Sequence, residues 1–292
     1  MPSTVRKAVI PAAGWGTRFL PASKVVPKEL LPIIDRPVIQ YSVEEAVASG
    51  VKEIVLVTSQ YKRAIEDYFD RTFELEAILE RRNDTKRLDQ VQALFGMANI
   101  YAVRQGEQKG LGHAVLMAKG IVGNEPFAVM LPDDVYVAAK KPVLRQLLDV
   151  HERHGASVLA LSEVAKEDVT RYGIVKAAKA GVGLHKITGV VEKPKMEQAP
   201  SRLASMGRYI LHPRIFEILE KQKPGAIGEI QLAEAIDTLS REQAVYGLEY
   251  QATLLDAGTP LGLLKASVQM ALEREDTRDD IRAYLKDLLR KR

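Results

Sequence analysis

Along the first half of the chain, short unbroken apolar runs alternate with segments in which apolar residues return every three or four positions. Residues 5–10, 53–58, 100–103 and 127–131 are short, β-branched and apolar throughout, the pattern of strands buried on both faces. Between them the spacing predicts helices over 37–49, opened by Pro37 and closed by Gly50, then over 61–69, over 72–94 in two pieces broken near Asn83, and over 111–119. Such alternation predicts an α/β fold: a doubly wound, mostly parallel, Rossmann-like mixed sheet flanked by helices. The second half changes character. Strands over 158–164, 173–177, 186–191 and 206–211 fit a mixed sheet, with a hairpin turn over 180–183. Helices over 213–221 and 229–240, a strand region over 245–255 and a helical tail over 260–292 come next. No repeat, low-complexity stretch or Pro/Gly/Ser-rich linker divides the chain, so residues 1–292 are expected to form a single domain.

The first strand runs directly into Pro11-Ala12-Ala13-Gly14-Trp15-Gly16-Thr17-Arg18, and Pro27-Lys28-Glu29 comes after a short irregular stretch. Glycines let backbone N–H groups approach phosphate oxygens, and Arg18 and Lys28 add charge that a triphosphate can pair with. A dinucleotide-binding turn would need a third small residue where Phe19 stands, and the Gly-Lys-Ser/Thr of a Walker loop is absent. Ligands of doubly wound sheets bind beyond the carboxyl ends of the strands, and other polar clusters sit at such ends. Asp133-Asp134 ends the 127–131 strand; it either offers hard oxygen ligands to Mg²⁺ or caps the helix or loop after it. Asp256 at another strand end either adds a second carboxylate or caps the helix near Pro260. Gly110-Leu111-Gly112 opens a helix whose N–H groups face an anion or a base edge, or whose glycines allow close packing. Gln105 carries a donor and an acceptor on one amide, as reading a pyrimidine edge requires. Glu192-Lys193 places a carboxylate and a cation on one extended segment, suited to a sugar phosphate. Trp15 either stacks near a base or packs under its loop. His151 and His154 lack metal-site spacing and belong to an exposed helix face.

Composition narrows the chemistry. With no cysteine, disulfides, thiolate catalysis and zinc–cysteine sites are excluded. The net charge of +4 comes from basic residues scattered among nearly as many acids, with no aromatic-laced basic stripe, so nucleic acid is not an expected partner. The runs at Arg81-Arg82, Lys140-Lys141 and Arg290-Lys291-Arg292 are read as solvated helix ends. No apolar stretch is long enough for a signal peptide or membrane span, which predicts a cytoplasmic protein without a membrane partner.

With these residues assembled, the chain resembles the bacterial UTP–glucose-1-phosphate uridylyltransferases, a branch of the sugar nucleotidyltransferases. The carriers are KAVIPAAGWGTRFLPASKVVPKELLPIIDRPVIQY, VRQGEQKGLGHAV, PFAVMLPDD, RYGIV, VEKP, GRYIL, GEIQL and DAGTPLG, from Lys7 to about Leu272. Lys28-Glu29-Leu30-Leu31-Pro32 is similar to the uridylyltransferase branch, whereas most sugar nucleotidyltransferases carry Pro after the loop lysine. The resemblance implies formation of UDP-glucose and pyrophosphate from UTP and glucose 1-phosphate with Mg²⁺. Related enzymes using dTTP, CTP or ATP, and a non-catalytic nucleotide-sugar sensor, remain as alternatives. It implies that Ala13, Gly14, Glu29, Gln105 and Gly110 hold the uracil and ribose. Gly16, Thr17, Gly112 and Asp134 complete the expected nucleotide site; Arg18 and Lys28 bind the polyphosphate and Asp133 binds the metal, with Asp256 the candidate for a second ligand. Gly173, Glu192 and Lys193 are then the glucose 1-phosphate contacts, with Lys193 on the phosphate, and Arg18, Lys28, Asp133 and Lys193 form the catalytic set. The chain then divides into a nucleotide-binding half (1–155), a sugar-binding half (156–258) and a helical tail (259–292), the tail being the expected self-association face of a homo-oligomer, dimer or tetramer. Where the family usually reads Asp-Cys-Gly-Ser-Lys, this chain has Asp256-Ala257-Gly258-Thr259-Pro260, an Asp-x-Gly-Thr form that resembles thymidylyl- and cytidylyltransferase relatives.

Overall fold

The computed structural model describes residues 5–138, 140–225 and 228–290. Strand β1 (Lys7–Pro11) leads through single-turn 3-10 segments to a two-residue hairpin, β2 (Pro32–Ile33) with β3 (Arg36–Pro37), and to helix α1 (Val38–Ala48). Then come β4 (Glu53–Thr58), α2 (Arg63–Tyr68), α3 (Phe73–Arg81), α4 (Thr85–Phe95), β5 (Asn99–Arg104), α5 (Leu111–Met117), α6 (Lys119–Val122) and β6 (Phe127–Met130). The second half holds β7 (Asp134–Val137), α7 (Val143–His154), β8 (Ser157–Glu163), β9 (Gly173–Lys179), β10 (Leu184–Glu192), β11 (Leu203–Leu211), α8 (Arg214–Lys221), α9 (Leu232–Glu242), β12 (Val245–Glu249), β13 (Thr253–Asp256), α10 (Pro260–Glu273) and α11 (Arg278–Arg290).

One sheet runs through both halves in the order β5-β4-β1-β6-β11-β8-β12-β10-β9. The expected parallel pairing holds from β5 through β4 and β1 to β6. Beyond β6 the sheet is mixed: β11 is antiparallel to β6 and β8, β12 is parallel to β8, and β10 is antiparallel to both of its neighbours. Two-residue alternation buries both faces. Ala8, Ile10, Ile54 and Leu56 join Ile39, Val43, Leu144 and Leu147 from α1 and α7, whereas Val9, Val55 and Val57 join Val115, Phe216 and Ile236 from α5, α8 and α9. Continuous apolar runs in the sequence therefore mark strands sandwiched between two helical layers.

The structure corrects some expectations and refines others. The 100–103 run is not a buried strand: β5 is the edge of the sheet, and most of its residues are exposed or half-buried. The 245–255 region is two strands, because β12 joins the main sheet while β13 pairs with β7 in a separate ribbon over the small core of Ile33, Val38, Val135, Leu255 and Ala266. The tail is two helices. Arg274 binds Asp276 and Asp35 at the break, and Asp279 and Asp280 open α11, where carboxylates favour a new helix N-terminus. Of the basic runs, Lys140-Lys141 precedes α7 rather than ending a helix, and Lys291 and Arg292 lie outside the described residues. His151 is buried, its Nδ1 sitting 2.8 Å from the Ala156 carbonyl, so only His154 lies on the exposed face. No helix among the described residues is long and apolar enough to cross a membrane.

Candidate active site

Strands β1, β4, β5 and β6 end on one edge of the sheet, and the segments leaving three of them border a cavity of about 550 Å³. Ala13 to Arg18 come from the end of β1, Gln105 from β5 and Leu131 to Asp133 from β6, with Lys28 and Gly258 closing the wall. Gly16 is left-handed at φ 66°, and a Cβ there would lie 3.2 Å from Lys28 Cβ and Cγ, so glycine is what lets the lysine run along the loop. Among the described residues, the backbone N–H groups of Gly14 through Arg18 have no hydrogen-bond partner, and Arg18 is exposed without an ion pair. Unpaired N–H groups converging beside a free guanidinium form a nest for an anion.

Across the cavity Lys28 Nζ lies 2.6 Å from Asp133 Oδ2. Burial alone would lower the lysine, but Asp133 and Glu29 outweigh it and hold the ammonium above its ordinary pKa. Burial likewise opposes the charge of Asp133, yet Lys28 keeps that carboxyl below the usual carboxylate range. A Cβ on Gly258 would lie 2.9 Å from Asp133 Oδ2 and 3.0 Å from Asp256 Oδ1, so both carboxylates border a space that only a glycine leaves open. Hard oxygen donors around such a cradle fit Mg²⁺, which takes one or two carboxylates and completes its shell with phosphate and water. No cluster of three or more candidate metal ligands occurs among the described residues. Asp256 does not cap the following helix: Thr259 Oγ1 does, accepting from the Gly262 N–H, while Asp256 Oδ1 accepts from the Gly258 N–H and Oδ2 pairs with Arg171 at 3.3 Å.

Gln105 is buried, and its Nε2 donates to the Gly110 carbonyl at 3.2 Å and contacts His113 Nδ1 at 2.9 Å. Burial lowers the His113 pKa, so the ring is neutral near pH 7 and its Nδ1 accepts. With both amide hydrogens used, Gln105 presents its carbonyl oxygen. A second hollow of about 50 Å³, sharing Leu111 with the first, is lined by Gly173, Glu192, Ser205 and Tyr209. Ser205 Oγ is buried there beside the Tyr209 phenol.

A family model described as nucleotidyl transferase matches residues 7–273. The chain belongs to the nucleotidyl transferase family. A UTP–glucose-1-phosphate uridylyltransferase from Staphylococcus epidermidis is 48% identical over 97% of this chain and 98% of that protein. A UTP-bound UGPase from Acinetobacter baumannii superposes with a TM-score of 0.89 at 38% identity, covering 97% of this chain and 99% of that one. A UDP-glucose pyrophosphorylase complexed with UDP-glucose gives a TM-score of 0.86 at 40% identity over 92% of this chain and 100% of that one.

In this nucleotidyl transferase most of the expected site residues converge, and several do not reach the cavity. Asp134 is turned into the protein, where Oδ2 accepts from the Gly207 N–H at 2.9 Å; burial and the adjacent Asp133 push its carboxyl up to about 7. Gly112 packs rather than presents a donor: its N–H donates to Ile230 O at 2.8 Å, and a Cβ would strike that carbonyl. Glu29 touches the cavity wall but is 2% exposed, held by Lys62 Nζ at 2.6 Å. Burial raises the Glu29 carboxyl and lowers the Lys62 ammonium, each countered by the other. Lys193, at φ 43°, lies half-exposed outside both hollows with its ammonium 3.2 Å from Glu192 Oε1. Trp15 neither packs under its loop nor is enclosed; it leans on Tyr61 with ring centroids 5.3 Å apart. Sequence reasoning missed Lys62, Gln108 and Glu229. Lys62 lies just past the carboxyl end of β4, Gln108 Nε2 donates to the Ala13 carbonyl at 3.0 Å, and Glu229 lines the cavity from GEIQL.

Proposed function

We propose that this nucleotidyl transferase joins UTP and glucose 1-phosphate into UDP-glucose with release of pyrophosphate, and that the residues of the main cavity carry the reaction. The supporting observation is the convergence of unpaired N–H groups, Arg18, Lys28 and Asp133 around one cavity, with Asp256 beside Gly258 in its wall and Leu111 shared with the Glu192 hollow. Ala13, Gly14, Gly16, Thr17 and Gly110 wall the nucleotide, with Arg18 and Lys28 along its phosphates. The Gln105 carbonyl accepts the N3–H of uracil; cytosine offers a bare nitrogen at that position, which disfavours CTP. Glu192 and Gly173 border the sugar, and Lys193, outside both hollows at rest, leaves Glu192 for the sugar phosphate.

The nucleophile is a phosphate oxygen of glucose 1-phosphate, which carries charge near neutral pH because its second proton leaves around pH 6. No general base is needed for a nucleophile already ionised. The protein's part is to bring two anions together, cancel their charge with Lys28, Arg18 and Lys193, and stabilise the departing pyrophosphate on the glycine loop. Asp133 and Asp256 would hold Mg²⁺, which would supply further charge neutralisation at the triphosphate. The reading extends to the cytoplasm, where nucleoside triphosphates are made, and to a homo-oligomer. The latter is supported by α11, which buries none of its residues and exposes Tyr284, Leu288 and Leu289. The deciding experiment measures pyrophosphate release with UTP, dTTP, CTP and ATP against glucose 1-phosphate. UTP is expected to dominate, and equal or better turnover with CTP would overturn the assignment of Gln105.

A further inference from the structure

Behind the cavity floor, Arg208 on β11 has no exposed surface and its guanidinium is satisfied on every side. Nη1 donates to Leu131 O at 2.8 Å and Gly207 O at 2.9 Å, and Nη2 to Asp134 O at 2.8 Å. On the far side Nε and Nη2 donate to Glu45 Oε2 at 3.0 and 2.8 Å, and the Tyr136 ring covers the plane at 4.7 Å. Leu131 and Asp134 are the two ends of the turn that carries Asp133. The preceding residue grips the same turn: Gly207 O accepts from the Leu131 N–H at 2.8 Å, and its N–H donates to Asp134 Oδ2. A Cβ on Gly207 would come within 2.2 Å of that oxygen, so the close approach needs glycine. From the opposite side the Ala257 N–H holds Asp133 O at 2.9 Å.

We propose that Arg208 is the positioning residue for Asp133: its planar fork fixes the spacing of the two carbonyls that bracket the turn, and so the direction in which the Asp133 carboxylate enters the cavity. Replacing a buried arginine–glutamate pair by well-packed apolar residues is often neutral or stabilising, so stability alone does not account for this one. A lysine keeps the charge opposite Glu45 but cannot hold two carbonyls at a set distance. The inference rests on the reading of Asp133 as the metal and nucleotide carboxylate, and Asp133→Asn run in parallel tests that reading separately.

The experiment compares Arg208→Lys with the unaltered enzyme after circular dichroism has established folding. It measures kcat, the Mg²⁺ concentration for half-maximal turnover, and MgUTP binding by the fluorescence of Trp15, the sole tryptophan. Arg208→Lys is expected to raise the half-saturating Mg²⁺ and weaken MgUTP binding by about tenfold, with the KM for glucose 1-phosphate within about twofold. A folded Arg208→Lys with Mg²⁺ dependence and MgUTP affinity within about twofold of the parent overturns the proposal. Should that variant not fold, Glu45→Gln, which keeps the arginine but loosens it from behind, carries the test; a rise of about threefold in half-saturating Mg²⁺ is expected and an unchanged value overturns the proposal. If Asp133→Asn leaves Mg²⁺ dependence intact, the reading of the site fails; if only the Arg208 and Glu45 variants do so, the positioning role fails alone.

Discussion

Replacing Gly258 by alanine puts one methyl group into the space that Asp133 and Asp256 border. The added carbon would lie 2.9 Å from Asp133 Oδ2 and 3.0 Å from Asp256 Oδ1, against an ordinary contact of 3.4 Å or more, so each carboxylate must retreat by about 0.4 Å or more. Two oxygens on one Mg²⁺ each sit about 2.1 Å from it, an arrangement the methyl group now obstructs. The backbone at Gly258 is not in the left-handed region, so alanine brings no dihedral strain and the fold should persist. Displacements approaching 1 Å at a reacting centre cost up to about a hundredfold in rate, so a smaller retreat that also spoils metal binding should cost about ten- to a hundredfold in kcat, or about 1.4–2.7 kcal/mol of barrier. Pyrophosphate release across a Mg²⁺ titration is the assay, with thermal unfolding as a control. Gly258→Ala should show reduced kcat, a higher half-saturating Mg²⁺ and a melting temperature within a few degrees of the parent. An enzyme with unchanged kcat and Mg²⁺ dependence would refute the argument that the gap between these carboxylates is the metal cradle.

Lys28→Ala should lower kcat by about 10²- to 10³-fold while the protein stays folded, and unchanged pyrophosphate release would remove Lys28 from the mechanism. Lys193→Ala should raise the KM for glucose 1-phosphate about tenfold with little change for UTP, as expected of a lost charge-assisted contact; an effect on UTP alone would contradict its assignment. Lys62→Met should destabilise by about 3–5 kcal/mol in urea unfolding because Glu29 is left as an unpaired buried charge, whereas adding Glu29→Gln should restore most of the loss; a double variant as unstable as the single would exclude an ionic origin. Because burial holds the His113 pKa below its unfolded value, the neutral ring's contribution is present above about pH 6.5 and is lost as pH falls through the depressed value, when protonated Nδ1 no longer accepts from Gln105. The KM for UTP should therefore be level above neutrality and rise in acid, and a KM flat through the acid range would refute the link.

The parallel half of the fold was legible because its strands are buried on both faces, which forces continuous apolar runs, and because polar clusters at their carboxyl ends have nowhere to go but the crevice. The glycine loop, Lys28, Gln105 and Asp133, singled out on that reasoning, line one cavity. The same reasoning could not separate Asp133 from Asp134. Adjacent residues on a turn point to opposite sides, and which one enters the cavity is decided by Gly207 and Arg208, more than seventy positions away. Gly112 was opaque for the same reason, since its partner Ile230 arrives from the far half of the chain. The short pair β7 and β13 carried too few residues to show a period, and β5 kept a strand composition although the edge leaves it uncovered.

The contact between Lys28 and Asp133 bears on how such a concentration of charge stays folded before substrate arrives. Taken apart, an ammonium and a carboxylate in a partly buried cavity would each be costly to desolvate; bridged at 2.6 Å they neutralise one another. On the proposed function, a triphosphate with its cation would offer each a replacement partner, phosphate oxygen for the lysine and metal for the aspartate, so binding would exchange ion pairs instead of stripping two solvated charges. Asp256 shows the same pattern with Arg171, and Lys193 with Glu192. Every charged group assigned to the reaction except Arg18 thus rests against an opposite charge that substrate can displace. Arg18 alone, exposed beside the unpaired N–H groups of the glycine loop, is left to attract the incoming anion first, which makes the on-rate for UTP the kinetic constant most sensitive to its loss and to added salt.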